Sequence, residues 1–315
     1  MKAVVIRKYG SPDVLELTDV NEPRITDDEV LVEVYASSVN PVDWKIRTGM
    51  LKMIAGNTFP RILGGDIAGR VAKVGHNVQF FRIGDEVYGM LNALKGGAYA
   101  EYVAAPQDGL ALKPQSLDFE QAATVPLAGL TALQALRDEG KIQKGQEVLI
   151  NGCSGGVGSF ALQIARAFET QVTGVCSTRN LEISLDLGAH KVIDYTKEDV
   201  LQADGKYHVF FDVVGNQSFS KVRHLLHPGG IYITTIPSLK VLLWSPLHNM
   251  INSRKIKKIL VKYNRHDLEF ISSLIDEGKL RTKIDREFTL EQIREAHEYS
   301  EKGHVVGKIL LKVKS

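Results

Sequence analysis

The chain is poor in cysteine, carries almost no net charge and contains no long apolar run. Its 315 residues include 2 cysteines, too few for a disulfide scaffold or a cysteine-rich zinc module. There are 39 lysines and arginines against 37 aspartates and glutamates, which leaves a net charge of +2. Because nucleic-acid binding requires a clustered basic surface, we expect no nucleic-acid partner.

Segments that would direct the chain into or across a membrane are also missing. The best apolar candidate, residues 231–247, is interrupted by Lys240 and two prolines and does not predict a membrane span. The first ten residues, MKAVVIRKYG, lack the apolar core of a signal peptide. The apolar content of 44% is ordinary for a globular chain. We therefore expect a cytoplasmic protein without an integral membrane segment, built from roughly two domains.

Hydrophobic patterning separates a β-rich beginning from an α/β middle. Apolar and polar residues alternate over 29–39, and shorter strand-like segments follow up to residue 105. Many short strands predict a small antiparallel barrel or sandwich. From Glu147 onward, strands alternate with helices, which predicts a parallel sheet covered on both faces. The last fifty residues predict helices over 267–277 and 290–302 and a strand over 305–313.

The strongest local motif is the glycine-rich segment GCSGGVG, residues 152–158, which follows a predicted strand and opens a predicted helix. Glycines allow a tight turn and a close approach of backbone N–H groups to a pyrophosphate at the helix N-terminus. The flanking strand and helix are the context that supports a dinucleotide site. We expect Ser154, Gly155, Gly156 and Val157 to contact the cofactor.

The end of the second strand of this α/β region indicates which nicotinamide cofactor is bound. NAD-binding folds usually place an acid there, which hydrogen-bonds the ribose 2′-hydroxyl. This strand ends instead in Ser177, Thr178, Arg179 and Asn180. Hydroxyls and a guanidinium suit a 2′-phosphate, so the sequence predicts NADPH, with Ser177, Arg179 and Asn180 as contacts. The alternative is that Arg179 is merely a solvated residue.

The order of motifs along the chain resembles the medium-chain dehydrogenase/reductase superfamily, in its zinc-independent quinone oxidoreductase (alkenal/enone reductase-like) branch. The matching segments are NPVDWKIRTG, GGDIAGRVAKVG, AGLTAL, GCSGGVGSFALQIA and GHVVGKILL, at 40–49, 64–75, 128–133, 152–165 and 303–311. The resemblance implies an α/β protein with a GroES-like β-rich catalytic domain, formed by residues 1–124 and 265–315. A Rossmann domain with a doubly wound parallel sheet, residues 125–264, would be inserted between them.

Dependence on zinc separates the branches of this superfamily. Zinc-dependent members carry a cysteine where this chain has Asn40, and Gly-His-Glu where it has Gly64-Gly65-Asp66. Cys153 and Cys176 both lie in the Rossmann half, and the histidines show no paired spacing that predicts a tetrahedral site. We expect no metal and a hydride transfer that runs without one.

The resemblance implies reduction of a small electron-poor acceptor, a quinone or an α,β-unsaturated carbonyl. Lys45, Asn40 and Asp43 lie in one predicted loop after a strand, in the segment that the family places near the nicotinamide. Lys45 is the first candidate to hold the cofactor ribose or the substrate carbonyl, Asn40 is the second, and Asp43 would orient the loop. The alternative is that Asn40 and Asp43 only cap the following turn.

Further cofactor contacts are implied by the resemblance alone. They are Thr131, Tyr195, Val214, Ile236, Val306, Gly307 and Lys308. The family also leads us to expect a monomer or a homodimer.

Two other functions remain open at this point. A 2-enoyl thioester reductase would share the fold, but such enzymes typically carry a tyrosine where Met50 and Leu51 follow Gly49. A non-catalytic NADPH-binding interaction protein is the second alternative. The segment 237–264 is expected to begin as a lid and to continue as a lysine-guarded edge strand, or else as a basic membrane-surface patch.

Overall fold

The computed structural model describes residues 1–236 and 239–314, with the side chains of 239–243 excepted. The chain divides into two compact units. Unit 1 comprises Met1–Leu130, Lys262–Gly278 and Thr282–Ser315, and unit 2 comprises Thr131–Val261 and Lys279–Arg281. Unit 2 therefore begins at 131 and ends at 261, where the sequence led us to expect 125 and 264. Within the described part of the chain, no helix has both the length and the apolar character that crossing a bilayer requires.

Strands and helices are numbered in chain order. The strands are β1 Lys2–Ile6, β2 Glu16–Asp19, β3 Glu29–Val39, β4 Arg61–Ile62, β5 Asp66–Val74, β6 Glu86–Met90, β7 Tyr102–Pro106, β8 Leu110–Leu112, β9 Glu147–Asn151, β10 Gln171–Cys176, β11 Lys191–Asp194, β12 Tyr207–Asp212, β13 Leu226–Thr234, β14 Lys255–Lys258, β15 Ile284–Thr289 and β16 Lys308–Lys312. The helices are α1 Pro41–Arg47, α2 Lys52–Ala55, α3 Phe119–Ala123, α4 Pro126–Leu133, α5 Gly156–Ala167, α6 Leu181–Asp186, α7 Phe219–Val222, α8 Leu239–Ile251, α9 Arg265–Asp276 and α10 Ile293–Glu301.

Unit 1 is the predicted β-rich domain. Its larger sheet has the order β15-β16-β3-β5-β6-β8, with β7 also paired to β3, and a smaller sheet has the order β2-β1-β4. The long strand β3 matches the alternating segment 29–39. Its neighbour β16 comes from the C-terminal end of the chain and pairs antiparallel with it, Ile309 opposite Val39. Both ends of the chain therefore build one sheet, as the family resemblance implied.

The core of unit 1 also joins the two ends of the chain. One buried apolar cluster contains Val4 and Ile6 of β1, Ile46 of α1, Ile293 of α10 and Leu311 of β16, among others. Burial of such side chains contributes roughly 1.5–3 kcal/mol each. The C-terminal segment is thus held by hydrophobic packing as well as by strand pairing.

Unit 2 is a doubly wound parallel sheet. Its strand order is β11-β10-β9-β12-β13-β14, which is 3-2-1-4-5-6 in the unit's own strand sequence and is the Rossmann order. The chain reverses its direction of winding between β9 and β12, and ligands of such sheets bind at the carboxyl ends of the strands at that point. The expected Rossmann fold is confirmed.

The segment 237–264 contains both helix and strand. Residues 237 and 238, the start of the predicted lid, lie outside the described residues. Trp244 and His248 of α8 border a cavity of about 860 Å³ on unit 2, together with Phe219 and Arg254. The following strand β14 pairs with β13 at the edge of the sheet, so the edge-strand interpretation of the basic stretch is confirmed.

Two elements differ from what the sequence pattern suggested. The segment with Asn40, Asp43 and Lys45 was expected as a loop, but residues 41–47 form helix α1. Proline at its first position and the carboxylate of Asp43 near its start both favour a helix N-terminus. Strand β15 was not expected, because its sequence IDREFT is largely solvent-exposed and lacks an apolar alternation.

Gly307 illustrates a backbone constraint in unit 1. It has φ +87°, and an added Cβ would lie 2.1 Å from the carbonyl oxygen of Lys283. The left-handed conformation alone costs a non-glycine residue about 1–2 kcal/mol. Gly303 has φ +69° with open space around its Cβ position. It is therefore a matched control for the conformational part of the cost.

We expect Gly307→Ala to destabilise unit 1 more than Gly303→Ala does. Gly303→Ala should lower the free energy of unfolding by about 1–2 kcal/mol, and Gly307→Ala by at least about 1 kcal/mol more, because it adds overpacking against a backbone. Both losses of stability can be measured by urea unfolding in a Trp244→Phe background, with the fluorescence of Trp44 as the signal. Equal losses of stability in the two variants would show that the close approach of residue 307 to the Lys283 carbonyl adds no further cost.

Candidate functional site

Two positions of the glycine-rich turn between β9 and α5 have no room for a side chain. Gly152 has φ +83°, and a Cβ on it would lie 2.4 Å from a methyl group of Val214. A Cβ on Gly158 would lie 2.1 Å from the carbonyl oxygen of Gly152. The tight turn brings the start of α5, at Gly156, to the carboxyl end of the central strand. The first N–H groups of a helix have no partner within the helix and attract anions, so the turn fits a pyrophosphate.

The predicted cofactor residues of unit 2 gather at one edge of its sheet. Ser154, Ser177, Tyr195, Val214 and Ile236 follow the carboxyl ends of five adjacent strands, β9 to β13. Tyr195, Val214 and Ile236 are 59%, 47% and 48% exposed. Apolar side chains left open at the switch point of a Rossmann sheet fit a surface that a dinucleotide covers. Gly155, Gly156 and Val157 lie in the turn at the centre of this edge.

The corner predicted for the 2′-phosphate is a short helical turn, Thr178–Asn180, directly after β10. Ser177 and Arg179 lie in this corner, and Arg179 is exposed. Asn180 is buried, and its Nδ2 donates to Oγ of Ser154 over 2.9 Å. The hydrogen bond ties this corner to the glycine-rich turn.

A carboxylate that the sequence did not point to lies beside the same corner. Asp194 accepts hydrogen bonds from the hydroxyls of Thr178 and Thr196. These bonds lower the pKa of Asp194 to about 2, so it is ionised at neutral pH. Lys197 lies 3.7 Å from it and offsets part of its charge.

Unit 1 contains a buried polar network at the start of α1. The Lys308 ammonium donates to Oδ1 of Asn40 over 2.6 Å and to Oδ2 of Asp66 over 3.2 Å. The same Asp66 oxygen accepts from the amide of Asn40 over 2.8 Å and from the hydroxyl of Ser38 over 2.6 Å. Its other oxygen accepts from the backbone N–H of Leu127 over 2.7 Å. Lys308 and Asp66 are 3% and 0% exposed, so the ion pair is enclosed.

This network changes the interpretation of two predicted site residues. Asn40 was the second candidate to hold the cofactor ribose or the substrate carbonyl, and its side chain is buried and bonded to Lys308 and Asp66. Lys308 was expected near the cofactor, but its ammonium points into unit 1. Both therefore position other groups. A lysine at the start of the strand KILLK and an aspartate at the start of β5, each next to an apolar run, were the available signal, because buried charges need partners.

Asp43 fixes the beginning of α1. Its Oδ2 accepts from the backbone N–H of Asn40 over 2.7 Å and from the hydroxyl of Tyr99 over 2.9 Å. Complete burial raises the pKa of Asp43 to about 7, and burial beside Asp43 raises the pKa of Tyr99 well above its ordinary value. The hydrogen bond that the backbone N–H of Asn40 donates to Asp43 is the capping interaction given as the alternative above. Tyr99 was not singled out in the sequence.

Lys45 is the predicted catalytic residue that retains access to solvent. It lies on the last turn of α1 and is half-buried, with its Nζ 5.6 Å from the centre of the Trp44 ring. Burial lowers the pKa of Lys45. The indole Nε1 of Trp44 is buried and has no hydrogen-bond partner within the described part of the chain.

The remaining predicted contacts have other partners or are enclosed. Thr131 is on α4 and 6% exposed. The backbone N–H of Val306 donates to Oδ2 of Asp285 over 3.1 Å. The close approach that Gly307 permits is to the backbone of Lys283.

The positions that separate zinc-dependent relatives hold no zinc ligand set. Asn40 and Asp66 surround an ammonium. Both cysteines lie in unit 2, where the hydroxyl of Ser184 lies 3.3 Å from Sγ of Cys153 and 3.4 Å from Sγ of Cys176. An amide, a carboxylate and a bound ammonium do not form the cysteine and histidine set that zinc prefers.

Comparison with known proteins agrees with this architecture. Residues 26–115 match the family model of the alcohol dehydrogenase GroES-like domain, and residues 187–311 match that of the zinc-binding dehydrogenases. The chain is 34% identical to a chloroplast envelope quinone oxidoreductase homolog of Arabidopsis thaliana over 99% of its own length and 98% of the relative's.

A second relative and a solved structure extend the comparison. The chain is 35% identical to the chloroplastic NADPH-dependent alkenal/one oxidoreductase of Arabidopsis thaliana, covering 99% of this chain and 79% of that one. The structure of the quinone oxidoreductase from Coxiella burnetii has a TM-score of 0.92 and 35% identity, with 100% and 99% of the two chains covered. The chain therefore belongs to the medium-chain dehydrogenase/reductase family, in its quinone oxidoreductase branch.

Proposed function

We propose that this protein is an NADPH-dependent oxidoreductase that reduces a quinone or an α,β-unsaturated carbonyl without zinc. The observation that carries the proposal is the buried ion pair between Lys308 and Asp66, with Asn40 as its third member. Oxidation of an alcohol on zinc would need thiolate or imidazole ligands at these positions, and an ammonium there repels a dication. The names of the relatives support the acceptor class.

The carboxyl edge of the unit 2 sheet is suited to hold NADPH. Backbone N–H groups around Gly155, Gly156 and Val157 would bind the pyrophosphate, and Ser177 and Arg179 would meet the 2′-phosphate. When bound, NADPH supplies the hydride. The exposed apolar side chains of Val214 and Ile236 would shield the bound cofactor from water.

Lys45 is the group of unit 1 suited to meet the charge that reduction creates. Hydride addition to the β-carbon of an enone, or to a quinone, places negative charge on the acceptor oxygen, and an ammonium donor stabilises it most as the charge develops. Asp43 and Asn40 fix the start of the helix that carries Lys45. The proton for the reduced product then comes from solvent.

The direct test is NADPH oxidation with three acceptors side by side, using protein dialysed extensively against a chelator. We expect turnover with a quinone or an enone, little with an enoyl-CoA, and no loss of rate after dialysis, because the residues around Lys308 bind no catalytic metal. A rate that disappears on dialysis and returns with zinc would contradict the proposal. Cofactor binding without turnover of any acceptor would favour an interaction protein.

Arg179→Ala should weaken NADPH binding by roughly ten- to a hundredfold and leave NADH nearly unchanged. Losing a hydrogen bond to a charged group costs about 1.5–3 kcal/mol, and only NADPH carries the 2′-phosphate. Dissociation constants of both cofactors, measured by fluorescence titration, give the ratio. Lys144→Ala is the control, since Lys144 is 77% exposed and pairs with Glu169. Equal losses of affinity for NADPH and NADH would show that Arg179 does not contact the 2′-phosphate.

Lys45→Ala should lower kcat and kcat/KM for an enone together, on the order of 10²-fold, the loss typical of a removed oxyanion donor. The exposed Lys52 of α2 gives the control, Lys52→Ala, which should stay within about twofold of the parent. Steady-state kinetics with NADPH and acceptor varied separately measures the effect. A raised KM for NADPH alone would assign Lys45 to the cofactor ribose instead.

The pH profile gives a second readout on Lys45. Because only the protonated amine carries the positive charge that stabilises the acceptor oxygen, its benefit is present at low pH. The benefit is lost as pH rises through the pKa of Lys45, which burial has lowered. The alkaline fall in kcat/KM should therefore disappear in Lys45→Ala.

A further inference from the structure

A carboxylate and two imidazole side chains lie close together at the amino ends of three unit 2 strands. Glu147 begins β9, His208 is the second residue of β12, and His227 is the second residue of β13. These strands are neighbours in the sheet, in the order β9-β12-β13. The three side chains thus lie at the opposite end of the sheet from the glycine-rich turn.

Parallel strand register brings the three residues together. Val209 pairs with Val148, which places His208 beside Glu147. Tyr207 pairs with Leu226, and the register shifts immediately after this pair, so that Val209 lies opposite Ile231. His208 and His227 each follow the first pair, and their ring centres lie 4.4 Å apart. Adjacent residues in register on neighbouring strands are about 4.8 Å apart. The grouping is therefore a consequence of the sheet, although 61 and 80 residues separate the two histidines from Glu147 along the chain.

The ligand atoms lie close to the geometry of a metal site. Oε2 of Glu147 is 2.8 Å from Nε2 of His227 and 3.7 Å from Nδ1 of His208, and all three ligand atoms are within 4.8 Å of one another. Metal bonds of about 2.0–2.1 Å in a tetrahedron need ligand atoms about 3.3 Å apart. Small side-chain rotations close the difference.

The side chains of the cluster already contact one another. Nδ1 of His208 accepts the backbone N–H of Glu147 over 3.1 Å, so this nitrogen carries no proton, and a metal bound there would replace that N–H as the partner of its lone pair. The two imidazole rings are tilted by 46° to each other, with their centres 4.4 Å apart. Unprotonated imidazole nitrogens and carboxylate oxygens are the atoms that ligate metals.

We propose that Glu147, His208 and His227 form a binding site for a divalent transition metal of the zinc class. Two imidazoles and one carboxylate match the ligand preference of Zn²⁺, and the half-exposed side chains, 34–48%, leave room for water as the fourth ligand. The metal would cross-link three strands and stabilise unit 2. This metal site goes beyond the proposed function, because its three ligands lie away from the cofactor edge of the sheet and take no part in the hydride transfer.

Calorimetric titration of chelator-treated full-length protein with ZnCl₂ tests the site. We expect one saturable equivalent, and binding at least about tenfold weaker in each of His208→Gln, His227→Gln and Glu147→Gln, since even supporting residues of metal sites are typically worth 10–100-fold. His266→Gln is the matched control, because His266 lies 3.2 Å from Glu269 on α9 and these two residues supply only two ligand groups, with Arg265 as their other neighbour. This control should bind zinc like the parent protein.

Two further readouts separate the site from loss of fold and from catalysis. Zinc should raise the melting temperature of the parent protein and of His266→Gln, and leave that of His208→Gln unchanged. NADPH turnover should be equal with and without the metal. Absence of saturable binding, or equal affinity in the parent and His208→Gln, would overturn the proposal and leave an ordinary Glu–His ion pair.

Discussion

A buried lysine ammonium joins the two ends of the chain in unit 1. Lys308 is 3% exposed, and an unpaired charge at such a position would cost several kcal/mol. Its partners come from elsewhere in the chain, Asn40 at the end of β3 and Asp66 at the start of β5. Satisfying this one charge ties the C-terminal strand β16 to the N-terminal part of the domain.

The network acts on chemistry indirectly, through the helix that follows β3. Asn40 is held by Lys308, and its backbone N–H is held by Asp43, which also binds Tyr99. The start of α1 is thereby fixed, and Lys45 is presented on its last turn. Two residues that the sequence suggested as catalytic thus support the helix, while the third retains the exposure that contact with an acceptor needs.

In unit 2, the parallel sheet separates two kinds of chemistry by strand direction. All the strands point the same way, so the loops after them share one edge and the residues that begin them share the other. The first edge carries the glycine-rich turn and the predicted cofactor contacts. The second edge carries Glu147, His208 and His227. A ligand at one edge is therefore kept apart from a ligand at the other by the length of the strands.

The sequence alone determined the fold class, the glycine-rich turn and the boundaries of the longest strand, β3. These depend on local properties: apolar alternation for β3, and four glycines in and just before the first turn of α5. The helix at 41–47 was missed although Pro41 and the Asp43 cap are local signals for its start. The hydroxyl of Tyr99, which also holds Asp43, comes from 56 residues away. Strand β15 was missed because an exposed edge strand has no apolar pattern.

Only the tertiary structure decided the partners of charged and ligand-bearing side chains. Lys308 looked like a cofactor contact and proved to be an internal ion-pair partner, 242 residues from Asp66. Asp194 beside Thr178, and the two histidines beside Glu147, were likewise hidden. Local spacing predicts which faces are buried, since hydrophobicity acts within one helix or strand. Which charge meets which depends on strand register between distant segments, and spacing along the chain does not encode that register.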